Sequence, residues 1–333
     1  MSKMRKTCFI AGAGFMGLTH AQGYMKGNNK VEIAGIIDSD IDRARKLAEP
    51  YGAQAFESLE DAFSYTKVDF LDVCLPSPLH ASYATKAMEH GSDVIVEKPF
   101  SITLEDADLM LQMAKKTKQR LFVAHVCRFM PQYVRAKELY DAGIIGSAIS
   151  LHCSRLSPRP AWGHNNWFFD KKLSGGTLLD LSIHDIDLAH WFLGTPTEYG
   201  AILHEHKELA GIAHVTSSIR YENNSNATVV ASHLMPDGYN LSSEFLLLGT
   251  KGYIEFSSKV DAESLFVYTD KKMKRISLLE VDPFALADPY AAELNHFVDC
   301  LITGKEFSFT ADDARLALET VHKLYDIANS IEV

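Results

Sequence analysis

A glycine turn near the start of the chain limits its fold more than any other feature. Residues Thr7 to Ala11 form a short apolar run that leads directly into Gly12-Ala13-Gly14-Phe15-Met16-Gly17. In a strand-turn-helix unit the first glycine permits the tight turn. The second lets backbone N–H groups approach a pyrophosphate, and the third lets the helix pack closely on the strand. The phosphates then meet orphan N–H donors and the positive end of the helix dipole. A second apolar run, Val31 to Ile37, ends at Asp38, 21 positions after Gly17. That is where a carboxylate accepts from a ribose 2′-hydroxyl, and it predicts NAD rather than NADP. Asp38 also suits a turn or helix cap beside Ser39 and Asp40, and Arg43, one turn further on, is placed to reach a 2′-phosphate.

The alternation continues. A helix runs to about Tyr51, a strand from Asp69 to Leu75, a helix from His80 to His90 and a strand from Asp93 to Val96. A helix from Leu104 to Lys116 and a strand from Arg120 to His125 follow. Such a series predicts a doubly wound parallel sheet with right-handed crossovers, whose ligands gather beyond the carboxyl ends of the strands. The loops there carry Pro76, Ser77, Glu97, Lys98, His125 and Arg128 as candidate cofactor and substrate residues.

Beyond Arg128 the pattern changes to a helix, a strand Ser147 to Cys153, a Pro/Trp-rich loop and a helix Ser174 to Leu193. Six strands between Tyr199 and Tyr268 and two closing helices complete the chain. The fold class is therefore α/β: a Rossmann doubly wound parallel sheet over residues 1–127, then an α+β domain over 128–333 built on a large open, mainly antiparallel sheet. On the helix Ser174 to Leu193, residues Asp180, His184, Asp187 and Trp191 fall at offsets 0, 4, 7 and 11, on one face. Ionisable groups on a core helix require partners or a ligand. Trp162, His164, Asn165, Asn166 and Trp167 supply aromatic faces and amides that suit a sugar, and they equally suit anchoring of their own loop.

A chain of 333 residues is long enough for two domains. Its net charge of −10 argues against nucleic acid or an anionic membrane as partner. No apolar run is long enough to span a bilayer, and the basic N-terminus runs into a strand rather than a signal peptide. Five cysteines with no C-x-x-C pair indicate reduced thiols and a cytoplasmic protein. His152, Cys153, His164 and His184 lack ligand spacing, so no metal site is expected.

The glycine turn, Glu97-Lys98-Pro99, the stretch His125 to Tyr133 and the segment Gly175 to Gly194 together resemble the glucose-fructose oxidoreductase, inositol dehydrogenase and rhizopine catabolism family, over essentially the whole chain. The resemblance implies an oxidoreductase in which Lys98 bridges nicotinamide ribose and substrate hydroxyl, with Asp180 and His184 at the reacting carbon. It implies a cis bond before Pro99, and a cofactor loop Pro76 to His80 that brings His80 to the site. Leu75, Ser77 and Ser182 depart from the family's usual residues.

Oxidation of a secondary alcohol needs a base, and His184 has a suitable ordinary pKa. Lys98 stabilises the developing alkoxide and Asp180 orients substrate or imidazole; Asp187 reads as a structural acid. The expected function is an NAD-dependent dehydrogenase of a sugar, inositol or related polyol. Alternatives are a glycoside hydrolase or epimerase using transient internal redox, and a non-catalytic NAD-binding regulator. The strands from Tyr199 to Tyr268 place Ile202, Ile212, Val215, Ile219, Val229, Ala231 and Phe245 on both alternating sets. Such a sheet predicts a homodimer, or a homotetramer, formed sheet face to sheet face.

Overall fold

The computed structural model describes residues 5–26, 30–160, 164–209, 211–270 and 272–332. They form two compact units, one of residues 1–126 and 288–315, the other of 127–287 and 316–333. The sequence pattern divides the chain between 127 and 128 and places everything after 128 in one domain, whereas the contacts group 288–315 with the first unit.

The first unit holds a parallel sheet of six strands, β1 (Lys6–Ala11), β2 (Val31–Ile37), β3 (Gln54–Phe56), β4 (Phe70–Val73), β5 (Asp93–Glu97) and β6 (Leu121–Ala124). Their order is β3-β2-β1-β4-β5-β6, so the chain reverses direction across the sheet between β1 and β4. Strands with every residue buried, such as Phe70–Val73 and Leu121–Ala124, need cover on both faces. The helices α1 (Phe15–Lys26), α2 (Ile41–Ala48), α3 (Leu59–Tyr65), α4 (His80–Glu89) and α5 (Leu104–Thr117) alternate with the strands. A further helix, Pro289–Thr303, packs against α1 so closely that a Cβ on Gly23 would lie 2.8 Å from Leu294. Its Phe297 meets Phe70 and Phe122 edge-on or tilted at 5.2 and 5.5 Å. This apolar contact, with the ion pairs Lys26–Asp288 and Arg315–Asp108, is why 288–315 belongs here. β3 and α3 had no clear sequence signal; β3 is three residues long.

The second unit is built on nine strands: β7 (Ala148–Pro158), β8 (Pro196–Glu205), β9 (Ala213–Tyr221), β10 (Asn226–Met235), β11 (Ser242–Gly249), β12 (Gly252–Ser257), β13 (Ser264–Thr269), β14 (Lys272–Ser277) and β15 (Asn329–Glu332). Their order is β14-β13-β12-β11-β7-β10-β9-β8-β15. It is not a simple meander. β7 sits at the centre, antiparallel to β11 and parallel to β10. β15 adds a second parallel pair at one edge, and the basic strand β14 forms the other edge. One face carries α6 (Pro131–Asp141), α7 (Lys171–Ser174), α8 (Gly176–Asp180) and α9 (Ser182–Leu193), of which α9 packs on β7 and β10.

Two expectations change. The single helix Ser174 to Leu193 is three pieces, because Gly175 and Gly176 both adopt positive φ and Leu181 leaves regular helix geometry at φ −103°. Asp180 thus ends one helix and His184 lies in the first turn of the next. The apolar residues expected on both sheet faces also prove to share one. Ile212, Val215, Ile219, Val229, Ala231 and Phe245 are all buried, and of that set Ile202 alone is exposed, at 45%. On β9 the open face shows His214, Thr216, Ser218 and Arg220, with inward residues buried at every second position. This is ordinary period-two alternation.

The glycine turn yields the first testable outcome. A Cβ on Gly17 would lie 1.8 Å from the backbone oxygen of Gly12, which cannot move aside without distorting the turn, whereas a Cβ on Gly14 meets nothing within 4 Å. Gly17→Ala is therefore expected to lower unfolding stability by roughly 2–3 kcal/mol, and Gly14→Ala by less than about 1 kcal/mol. Urea denaturation of both variants checks this; equal losses would show that the clash does not set the turn.

Candidate functional site

In the first unit, candidate residues gather at the carboxyl ends of β1, β2, β4, β5 and β6. Gly12 N–H donates to Ile37 O at 2.7 Å and Cys74 N–H to Ala11 O at 2.8 Å, which ties the three strand ends together. Gly12 has φ +103°, and a Cβ there would meet Cys74 O at 2.3 Å. Gly14 and Phe15 are exposed and Met16 half-buried. The first turn of α1 contains no acidic residue, so its unpaired N–H groups present an uncontested positive end beside the open space over Gly14. That cradle fits a pyrophosphate.

Asp38 ends β2 and is 6% exposed. Its carboxylate accepts from Ala13 N–H at 2.8 Å, Asp40 N–H at 2.9 Å and Arg43 Nη2 at 2.7 Å. The neighbouring Asp40 caps α2, so the capping role weighed for Asp38 falls to Asp40. Arg43 Nε also lies 3.5 Å from Asp40. The guanidinium therefore sits between two carboxylates.

The loops after β4 and β5 are fastened to each other by His80. This residue is 1% exposed, and its ring nitrogens lie 2.8 Å from Leu75 O and 3.0 Å from Pro99 O. Burial pushes its pKa down. Ser77 is buried beside it, and Pro76 precedes the short turn Ser77–Leu79. The Lys98–Pro99 bond is cis. Glu97 Oε2 accepts from Lys98 N–H at 3.0 Å, while Glu97 Oε1 lies 2.9 Å from His20 Nε2. The other side of His20 faces Asp72, 2.9 Å away. His20, Asp72 and Cys74 group three potential ligand atoms, and burial pushes the Cys74 thiol up. His125, expected at the substrate, is 1% exposed and lies edge-on to Phe309.

In the second unit, the ionisable residues of α9 divide sharply. Asp187 takes a bidentate pair from Arg128, at 2.7 and 2.8 Å, and Trp191 lies 5.5 Å from the same guanidinium. Asp185 takes a second bidentate pair from Arg155, at 3.0 and 2.8 Å. Both pairs are buried, and bidentate geometry is what makes such burial tolerable. Two members of the sequence tetrad, Asp187 and Trp191, thus join Arg128 in an internal set, and Arg128 is an internal counter-ion rather than an open substrate ligand. His190 is held between Tyr221 and Thr320. His184 is different. It is half-buried, and its Nδ1 lies 3.8 Å from Cys127 Sγ. Asp180 is 8% exposed, with His233 Nε2 3.8 Å from its carboxylate and His233 Nδ1 3.2 Å from Thr177.

Trp167 is half-buried and stacked on Phe168 at 4.1 Å. Trp162 and the side chains of His164, Asn165 and Asn166 lie outside the described residues. Sequence reasoning missed Arg155, Asp185, His20 and His233. Arg155 carries the one readable signal, a cation at an inward position of an alternating strand, which demands a buried anion.

Comparison with known proteins gives the family and the fold. A family model described as "Oxidoreductase family, NAD-binding Rossmann fold" matches residues 6–125, and the C-terminal domain model of the same GFO/IDH/MocA family matches residues 133–255. Scyllo-inositol 2-dehydrogenase (NAD(+)) of Bacillus subtilis is 27% identical over 94% of this chain and 91% of its own. D-xylose 1-dehydrogenase [NADP(+)] of Haloarcula marismortui is 24% identical over 96% of this chain and 90% of its own. An NAD-binding oxidoreductase structure from Klebsiella pneumoniae shares the fold, with a TM-score of 0.85 at 20% identity over 98% of this chain and 97% of that one. With both halves matched by models of one family and every element of a dinucleotide cradle in place, this chain belongs to the GFO/IDH/MocA oxidoreductase family, with an NAD(P)-binding Rossmann unit at its N-terminal end.

Proposed function

We propose that this protein oxidises a secondary hydroxyl of a sugar, an inositol or a related polyol, with NAD as its hydride acceptor. The observation that carries this reading is His184. Among the described ionisable residues of α9, Asp185, Asp187 and His190 are sealed in internal pairs, while His184 keeps partial exposure. The names of the relatives point to the same substrate class.

Gly12, Gly14, Phe15, Met16 and Gly17 would hold the dinucleotide phosphates and Asp38 the ribose, with Pro76, Ser77, His80 and Glu97 framing the nicotinamide end; bound there, the nicotinamide supplies the hydride acceptor. His184 takes the hydroxyl proton through Nε2, because Nδ1 is turned toward Cys127. Lys98 stabilises the forming alkoxide with its ammonium charge. Asp180, itself positioned by His233, orients the substrate hydroxyls. Trp167 offers an aromatic face to the substrate's C–H surface.

A screen of inositols, aldoses and sugar nucleotides for a steady rise in absorbance at 340 nm tests the reading. Net NADH is required; product without NADH would indicate internal redox instead. Lys98→Met and His184→Ala are each expected to lower kcat by about 10²- to 10⁴-fold with NAD affinity and thermal stability nearly unchanged. Retention of a tenth or more of wild-type turnover by either variant would remove its assigned role.

NAD is preferred over NADP in this proposal because Asp38 and Asp40 together outweigh Arg43 next to the ribose position. kcat/KM is expected to favour NAD by about tenfold or more, a difference of ~1.4 kcal/mol, and Asp38→Ser, which frees Arg43, to narrow that ratio. An unchanged ratio in the variant would refute the role given to Asp38.

None of the five cysteines is joined in a disulfide, which fits a reducing cytoplasm. A homodimer through the open sheet face remains part of the proposal on a narrower basis than apolar alternation. Leu248 is 44% exposed there, and Leu246, Val230 and Phe266 are half-buried. Light scattering is expected to give at least twice the 37.1 kDa chain mass, and Leu246→Glu to shift it toward the monomer. A monomer in the unaltered protein would overturn the assembly.

A further inference from the structure

The first unit buries an acid-base cluster of which the proposed chemistry uses Glu97 alone. His20, on α1, is fully buried. Its Nδ1 lies 3.1 and 2.9 Å from the two oxygens of Asp72, a residue of β4 that is likewise fully buried, and its Nε2 lies 2.9 Å from Glu97 on β5. Tyr24, one turn along α1, donates to Asp72 at 2.8 Å. Cys74 Sγ lies 3.3 Å from His20 Nδ1, and the Cys8 thiol of β1 is the remaining titratable neighbour. Burial pushes both thiols and the Tyr24 hydroxyl up, so all three stay neutral. The cluster thus sets one imidazole between two carboxyl groups.

We propose that His20 is a positioning residue for Lys98: by bridging Asp72 to Glu97 it fixes the carboxylate whose second oxygen accepts from the Lys98 peptide N–H. Two geometric facts support this. The imidazole is the single described side chain that spans the Asp72 and Glu97 carboxylates, so no neighbour replaces it. Glu97 in turn reaches the Lys98 backbone through Oε2 at 3.0 Å, leaving Oε1 for His20. The protonation state agrees. Burial, the largest single influence, pulls the His20 pKa down, but Asp72 and Cys74 beside the ring together outweigh it and the value stands well above the ordinary 6.5. Both ring nitrogens then donate, one to each acid. Because the folded-state pKa is raised, the stabilisation is fully present below pH ~6.5 and is lost only as pH rises through the raised value. The clamp therefore holds across neutral pH.

This inference rests on the reading of Lys98 as the alkoxide-stabilising residue, and its test separates the two. In His20→Gln the side-chain amide can donate to one carboxylate but not bridge both. Hydrogen exchange followed by mass spectrometry is expected to show the Lys98 amide exchanging about tenfold faster in the variant, the size of a lost charge-assisted hydrogen bond, while β6 amides keep wild-type rates. No change at Lys98, or an equal rise in β6, would overturn the clamp. The thermal stability difference between wild type and variant is expected to shrink on the alkaline side of neutrality.

Turnover on the best substrate of the NADH screen supplies the second arm. His20→Gln is expected to lower kcat about tenfold in the Lys98 protein and to have no further effect in Lys98→Met, because the group being positioned is gone. Equal fractional losses in both backgrounds would make His20 merely structural and overturn the proposal. Near wild-type turnover in Lys98→Met alone would instead remove the Lys98 reading and leave hydrogen exchange to decide the clamp. Should His20→Gln fail to fold, Glu97→Asp, whose shorter side chain cannot reach both His20 and the Lys98 N–H, takes the same two measurements with the same expectations.

Discussion

Carboxylates out of water govern much of the packing in both units, since an isolated buried charge costs far more than any single apolar contact returns. Asp185, Asp187, Asp72 and Glu97 are each at most 6% exposed, and each has a cation or an imidazole within 3.0 Å. In the second unit the pairs Arg155–Asp185 and Arg128–Asp187 fix α9 against β7 and against the segment that enters α6. Apolar side chains such as Phe192 and Phe245 fill the remaining space at a ring separation of 5.0 Å. A helix secured in this way has little freedom to rotate. The one ionisable side chain it leaves partly exposed, His184, is therefore held in a defined direction.

The first unit solves the same problem with an imidazole because its acids come from neighbouring parallel strands. Asp72 of β4 and Glu97 of β5 belong to strands that pair directly, with Asp72 opposite Ile95 in the register. A guanidinium fork matches one carboxylate well, whereas an imidazole has nitrogens on opposite edges and suits a bridge between two. His80 acts similarly nearby with carbonyl oxygens in place of carboxylates. Two histidines thus knit the loops after β4 and β5 without any side chain entering the open space above Gly14.

Much of the fold was legible in the sequence because buried parallel strands and the glycine turn leave unmistakable composition: Thr7 to Ala11, Val31 to Ile37 and Asp93 to Val96 fall within one residue of their strands. The reading failed where tertiary contact decides. Nothing in the residues Ala148–Pro158 announces that β7 will sit centrally and pair in parallel with β10, since register is a property of two segments. The expected helix spanning Asp180 and His184 is continuous because leucine-rich periodicity carries across Leu181, and periodicity does not register the positive φ of Gly175 and Gly176. At the site, sequence pattern and family resemblance singled out Lys98, Asp38 and His184 as candidates. They separated Asp187, as a structural acid, from Asp180, but they could not name Arg128 as the partner of Asp187, because partnership at a separation of 59 residues leaves no local pattern.

The assignment of residues 288–315 to the first unit has a consequence for how the protein is made. The helix Pro289–Thr303 closes over α1, Phe70 and Phe122, yet it leaves the ribosome only after the whole of β7 to β14 has been synthesised. Until then Phe70 and Phe122 of the nascent Rossmann sheet lack the cover of Phe297, and β7 must wait for β10 and β11 before either of its edges is satisfied. The two units therefore reach completion almost together, late in translation. Their long-range contacts put this chain among slow-folding topologies, for which an early stop would release an adhesive fragment rather than a finished N-terminal domain.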